Sequence, residues 1–403
     1  MIRSMFTAIS SLQLHQYYMD VVADNLANAN TTGFKSSRFS FQDQFSQVMS
    51  SGAAPSDEKG GVNPVQIGLG TRVGTVSPSF TQGSLQSTGR NTDMAIQGEG
   101  FFIYANGGAN FYSRDGMLNM DSEGYLVNSS TGYRLQGWQA TSGSIADGQA
   151  LSDLQLPLGS TMARATANAT VGGNLDSRLA TDATYNSTMG VYDSLGNLRS
   201  ISIVFTHTGD DAWSWEASMD GNTLGNGDLT FTTDGQYDTG SPGTITIPAA
   251  NGAAESTVTL DFTNVTQLAT SGDVSVLSQD GLAAGDLTSF YVSSDDGKVY
   301  GLYSNGMEQL VGQLAFAKFV NPAGLERIGQ NMFRQGLNSG EPAVGTANTG
   351  GRGVVASGYL DTSNVDMAQE FTNMILAQRG IQASSRVITT SDEMLQELVN
   401  LKR

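Results

Sequence analysis
Two histidines, His15 and His207, and no cysteine make up the whole supply of soft or switchable ligands in this 403-residue chain. Zinc sites draw on imidazole and thiolate, and nucleophilic catalysis needs a base beside a Ser or Cys, so both chemistries lack their parts. His15 falls in a helical stripe and His207 at the end of a strand-like run, and both are expected as solvated surface residues. Residues 220–225, Asp-Gly-Asn-Thr-Leu-Gly, begin as a calcium loop begins. Leu224 then stands in a ligand position and Phe231 where the bidentate acid belongs, which makes the segment a turn. Asp210-Asp211 and Asp295-Asp296 offer paired carboxylates of the kind a glycosidase uses. In a chain with 38 acidic residues such pairs are read as solvating charge. No G-x-S-x-G, Walker or G-x-G-x-x-G run occurs, so there is neither a nucleophile elbow nor a phosphate loop. The expectation is a protein without catalytic, metal or cofactor site, and not an enzyme.

The elements that would position any site divide the chain into ends and middle. Of 49 glycines only Gly33 precedes residue 52 and only Gly380 follows residue 358, and all eight prolines fall between Pro55 and Pro342. Residues 1–28 space Ile2, Met5, Ile9, Leu12, Gln16, Met19, Ala23 and Leu26 by alternating threes and fours, the signature of one helix face. From residue 363 onward Met367, Phe371, Met374, Gln378, Ile381, Ser385, Ile388, Asp392, Leu395 and Val399 do the same. Ser363 is the expected N-cap, with Asp366 three residues on. Gln378, Ser385 and Asp392 recur at one heptad position, and burying unpaired polar groups costs about 1–3 kcal/mol each. The second helix is therefore expected to pack among several others with water retained.

The middle reads as strands. Residues 29–70 are expected as an extended linker, aromatic at Phe34, Phe39, Phe41 and Phe45. An inner β domain is expected at 71–150 and 285–360, with hairpin turns at Asp296-Gly297 and Asn305-Gly306. An outer antiparallel β domain is expected at 151–284, where Ile201/Ile203/Phe205, Trp213/Trp215, Ile245/Ile247 and Val258/Leu260/Phe262 alternate with polar residues. The fold class is thus multidomain α+β, with terminal helices of 1–28 and 361–403 paired around two nested all-β domains. The net charge is −18, of which residues 151–284 supply −12 through fifteen acids against three arginines. That balance argues against nucleic acid and anionic membrane surfaces, and no apolar run is long enough to span a bilayer or to serve as a secretory signal.

Several runs are similar to those of a known family. Residues 25–35 (Asn-Leu-Ala-Asn-Ala-Asn-Thr-Thr-Gly-Phe-Lys), 89–102 (Gly-Arg-Asn-Thr-Asp-Met-Ala-Ile-Gln-Gly-Glu-Gly-Phe-Phe), 112–116 (Tyr-Ser-Arg-Asp-Gly), 363–366 and 374–379 resemble the shared signatures of bacterial flagellar rod and hook subunits. The insert, opening with Val-Tyr-Asp-Ser-Leu-Gly-Asn at 191–197, points to the hook members; a distal rod subunit, or a secreted β-rich adhesin, is the alternative. The resemblance implies a subunit exported through the flagellar channel and assembled under a cap into a curved extracellular tube that joins rod to filament and passes on motor torque. It implies as partners copies of the same chain, the rod protein, the hook-cap protein, the hook–filament junction protein and the export apparatus. It implies an assembly interface of Ile2, Met5, Ile9, Leu12, Met19, Leu26, Asn28, Gly33 and Phe34 in front, with Phe371, Met374, Gln378, Ile381, Ser385, Ile388, Asp392, Leu395 and Val399 behind. Polar positions in the stripe would let adjacent subunits slide between packings of near-equal energy.

Overall fold
The freedom of both ends from proline, and nearly from glycine, lets long helices form there. In the computed structural model, which describes residues 2–55, 59–146, 148–240 and 243–401, α1 spans Ile2–Ala27 and α2 spans Met367–Asn400. Met1, Lys402 and Arg403 of the expected helical domain, residues 56–58 of the expected linker, and residues 147 and 241–242 of the β domains lie outside the described residues. The cap of α2 is Asp366, not Ser363: its carboxylate accepts from the backbone N–H of Ala368 (2.9 Å) and Gln369 (3.1 Å). The reason is that Asn364 is already committed outside the helix, to Ser36 N and to Ser79 O, which holds residues before 366 extended.

The chain falls into two compact units. The first comprises Met1–Leu156, Tyr291–Val299 and Leu310–Arg403. Within it the expected linker is folded. Strand β1 (Ser37–Asp43) pairs with β4 (Thr71–Pro78), β2 (Ser46–Ser50) pairs with β3 (Val65–Gly68), and Ala53 bridges Val62, making one long antiparallel ribbon. Phe39 and Phe41 of β1 meet Tyr18 of α1 at ring separations of 5.5 Å, which lays the root of the ribbon on the helix. Beyond the ribbon, Phe101–Asn106 is sheet-paired to Ala109–Ser113 on one side and to Arg134–Gln139 on the other. Phe101, Ile103, Tyr112, Phe319, Leu325 and Phe333 form a buried cluster there, closed by edge-on contacts of Phe80 with Phe101 and Phe333. Two short pairings, Met94–Gln97 with Val354–Ser357 and Leu85–Ser87 with Tyr359–Asp361, then guide the chain into α2.

The second unit comprises Pro157–Phe290 and Tyr300–Gln309, so its limits differ from the expected 151–284 by a few residues and by one returning segment. It contains a five-stranded antiparallel sheet and a four-stranded sheet, whose alternating inward residues, Trp213, Trp215, Ile203, Phe205, Val258 and Ile245 among them, share one core, besides the pairing of Thr161–Arg164 with Leu282–Val292. One pairing departs from the all-antiparallel expectation: Asn168–Asp176 runs parallel to Ser256–Leu268. Residues 220–221 form the turn between Ala212–Met219 and Asn222–Phe231, both at positive φ. His207 is not a surface residue. It continues the inward alternation of Ile201, Ile203 and Phe205 and lies 4.8 Å from the Trp213 ring.

Candidate assembly surface
Helices α1 and α2 meet antiparallel. Asn25 reaches Glu370 (3.3 Å) at one end of the contact and Ser384 reaches Ser11 (3.1 Å) further along. The face of α2 turned inward carries small side chains, Ala377, Ser384 and Ser391, and that of α1 carries Ala8, Leu14, Val22 and Asn25. At Gly380 a Cβ would come within 2.4 Å of the His15 ring, so glycine lets the imidazole sit against the α2 backbone. His15 is accordingly half-buried and not solvated as expected.

The predicted stripes lie beside this seam. On α2 Met374, Ile381, Ile388 and Leu395 are half-buried at its edge together with Ser385, whereas Phe371, Gln378, Asp392 and Val399 are exposed. On α1 the predicted stripe is split in the same way: Ile2 and Ile9 are 60% and 37% exposed, and Met5, Leu12, Met19, Leu26 and Asn28 are half-buried. The seam thus sets small residues of α2 against Ala8, Leu14 and Val22 of α1, and many other large apolar side chains of both helices stay exposed. Phe6, Ile67, Leu69 and Val387, all exposed, line an open groove of about 650 Å³ bounded by α1, β3 and α2. The ribbon adds exposed Phe45, Val48, Met49 and Val65. Apolar exposure on this scale marks an interaction surface more often than a bare solvent face.

Gly33 and Phe34 have a different place. Both are buried inside the first unit, Gly33 at φ +69° against the Asp115 backbone and Phe34 beneath the Arg327 guanidinium at 4.8 Å. They belong to a polar neck between the helices and the β strands. There Lys35 Nζ stands 2.8 Å from Asp361 Oδ2, both side chains wholly buried. Desolvation pulls the Lys35 ammonium below its usual range, and the Asp361 charge opposes that shift. Asp361 Oδ1 also accepts from Gly83 N, and Gly33 N donates to Asp361 O. Asn25 brackets Ser37 by donating to its carbonyl and accepting from its N–H, while Arg327 donates to Lys35 O and Ser37 Oγ. Burial likewise raises the Asp115 carboxyl above its ordinary value, with the hydrogen bond from Asn128 opposing. None of these contacts was visible in the stripe pattern. A signal for the small seam did exist, since Ala377, Ser384 and Ser391 recur every seven residues. Among the described residues no three His, Asp or Glu side chains stand together as a metal-holding group.

Terminal helices enclosing an inner β unit, with a second β unit inserted, is the organisation that four family models match in chain order. They are Flagella basal body rod protein at 5–35, Flagellar hook protein FlgE/F/G D1 domain at 95–172, Flagellar basal body protein FlaE D2 domain at 157–282, and Flagellar basal body rod FlgEFG protein C-terminal at 356–401. Together they mark the class of flagellar axial proteins. The chain is 36% identical to the flagellar hook protein FlgE of Borreliella burgdorferi over 442 residues, and 36% identical to that of Treponema pallidum over 464 residues, with 100% of both chains covered in each case. It is 30% identical to the flagellar basal-body rod protein FlgG of Bacillus subtilis, again over 100% of both chains. The chain belongs to the flagellar hook protein family.

Proposed function
We propose that this chain polymerises with copies of itself into the flexible curved tube of the flagellar hook, outside the cell, and passes motor torque from rod to filament. The observation that carries this reading is the exposure of large apolar side chains on both terminal helices beside a seam whose α2 side is small. A helix pair that buries only Leu14 and Val22 among its large side chains, with alanine and serine for the rest, leaves most of its apolar surface without a partner in its own chain. Each exposed Ile, Phe or Val of the stripes offers about 1.5–3 kcal/mol on burial against another copy. Ile2, Met5, Ile9, Leu12, Met19 and Leu26 of α1, and Phe371, Met374, Ile381, Ile388, Leu395 and Val399 of α2, are the assembly residues in this reading, with Gln378, Ser385 and Asp392 as polar points where neighbours slide. The rod protein, the cap, the hook–filament junction protein and the export apparatus are the further partners in this reading. Its chemistry is structural, with no catalytic step. Electron microscopy of the purified full chain under polymerising conditions tests the proposal. Curved tubes are the expected result, and monodisperse monomer persisting at high concentration overturns it.

A further inference from the structure
We infer that the buried polar neck, centred on Lys35 and Asp361, sets the register in which α1 and α2 pair. The helix seam itself opposes a slip strongly at one point only, where Gly380 meets the His15 ring. Its small residues, Ala377, Ser384 and Ser391, repeat every seven positions, and so do the larger ones at its edge, Met374, Ile381, Ile388 and Leu395. Sliding α2 by one such repeat, about 10 Å along its axis, puts small side chains in place of small and large in place of large at most of these positions; the exception is Gly380 against the His15 ring, where Asn373 or Val387 would arrive. Apolar contacts of this kind are non-directional and tell the two registers apart weakly. Seam polar contacts are few: Ser11 meets Ser384, and slipped pairings would give it Ala377 or Ser391.

The neck discriminates where the seam does not. The Lys35–Asp361 pair joins segments 326 residues apart in sequence, is wholly buried, and tolerates no offset, because a displaced partner leaves a buried charge unanswered. Around it Asn364 holds Ser36, Ser79 and Thr81 at once, and Asn25 ties the end of α1 to Ser37 and Glu370. Each of these contacts is hydrogen-bonded in a fixed direction and lost on a shift of a few ångströms. Buried polar groups of this kind serve best as specifiers of alignment, as a single buried asparagine does in coiled coils. The neck thus fixes, at one end, which residues of both helices face outward.

The chain has no cysteine of its own, so engineered cysteines report the register directly. Ser11→Cys with Ser384→Cys reads the observed alignment, and Ser11→Cys with Ala377→Cys or Ser391→Cys reads the two slipped ones. Each pair is oxidised in the full-length chain and quantified by peptide mass mapping. In the unaltered neck only the first pair is expected to close. With Lys35→Met and Asp361→Leu, and with Asn364→Ala added, a slipped pair is expected to close to a yield within several-fold of the first. Lys35→Gln with Asp361→Asn, which keeps the shape and a hydrogen bond, is expected to restore the first pair's dominance. Exclusive closure of the first pair in every background overturns the inference. So does loss of all three bridges in the apolar variants, which makes the neck a general stabiliser and not a register device.

Discussion

Gly380→Ala sets two effects of similar size against each other. Glycine inside a helix costs about 1 kcal/mol relative to alanine, so α2 by itself gains from the change. In the paired chain the added Cβ stands 2.4–2.6 Å from Nε2, Cε1 and Cδ2 of His15. Ordinary carbon contact is about 3.5–4 Å, so the ring must retreat by about 1 Å, with the Phe41 ring 5.7 Å from it on the ribbon side. Overpacking of this order costs about 1–3 kcal/mol, which leaves a net loss of about 0–2 kcal/mol for the single substitution. His15→Ala opens the space, and the double variant recovers the propensity gain. The four members of the cycle should therefore show a coupling of about 1–3 kcal/mol. The assay is native-state hydrogen exchange of α1 and α2 amides in the full chain, since a frayed pair reports there first. Additivity within about 0.5 kcal/mol, or a Gly380→Ala variant stabilised by the whole propensity difference, would refute the packing of His15 on Gly380.

At Gly33, φ +69° and a Cβ only 2.6 Å from the Asp115 backbone nitrogen leave no room to relax. Gly33→Ala is expected to destabilise the first unit by more than about 2 kcal/mol in urea unfolding, and a neutral result would mean the neck is not formed in solution. Asp366→Ala removes both cap bonds and should lower protection of the first turn of α2 by about 1 kcal/mol, whereas Ser363→Ala should change it by less than about 0.5. Burial raises the Asp115 carboxyl above 3.8, so the folded chain holds that proton more readily than the unfolded one. Its contribution is most favourable below 3.8 and is lost as pH rises through the elevated value. Urea midpoints for the parent minus those for Asp115→Asn should fall across that window, and a pH-independent difference would sink the assignment.

The helices were legible because their lack of proline and near lack of glycine leaves little else for residues 2–27 and 367–400 to form. Their contact face was not. A reading that follows large apolar residues takes Ile381 with Gln378 and Ser385, while the chain buries Ala377 and Ser384, whose small size permits close approach and also keeps them out of a pattern of large apolar residues. In the second unit, strict alternation of Trp213 with Trp215 and of Ile201 with Phe205 gave the inward face directly, because period-two patterns in a sandwich have one buried side. The same rule would have placed His207 inside had it been carried two residues further. The ribbon has no local signal, since its partners, Val48 with Gln66 and Phe39 with Val76, are separated by a long stretch without periodicity. Lys35 and Asp361 lie 326 positions apart, and no local rule connects them.

The ribbon of β2 and β3 leaves Val48, Met49, Val65 and Ile67 exposed, which for a free chain is a colloidal hazard. The same chain carries −18 of net charge, two thirds of it in residues 151–284. Copies that approach at random repel one another over a range of about 8–10 Å at physiological salt, which slows sticky encounters without forbidding guided ones. Added salt shortens that range, so the shelf life of unassembled chains in solution should depend on ionic strength more steeply than their folding does. Solubility is thus written far along the sequence from the surfaces that threaten it.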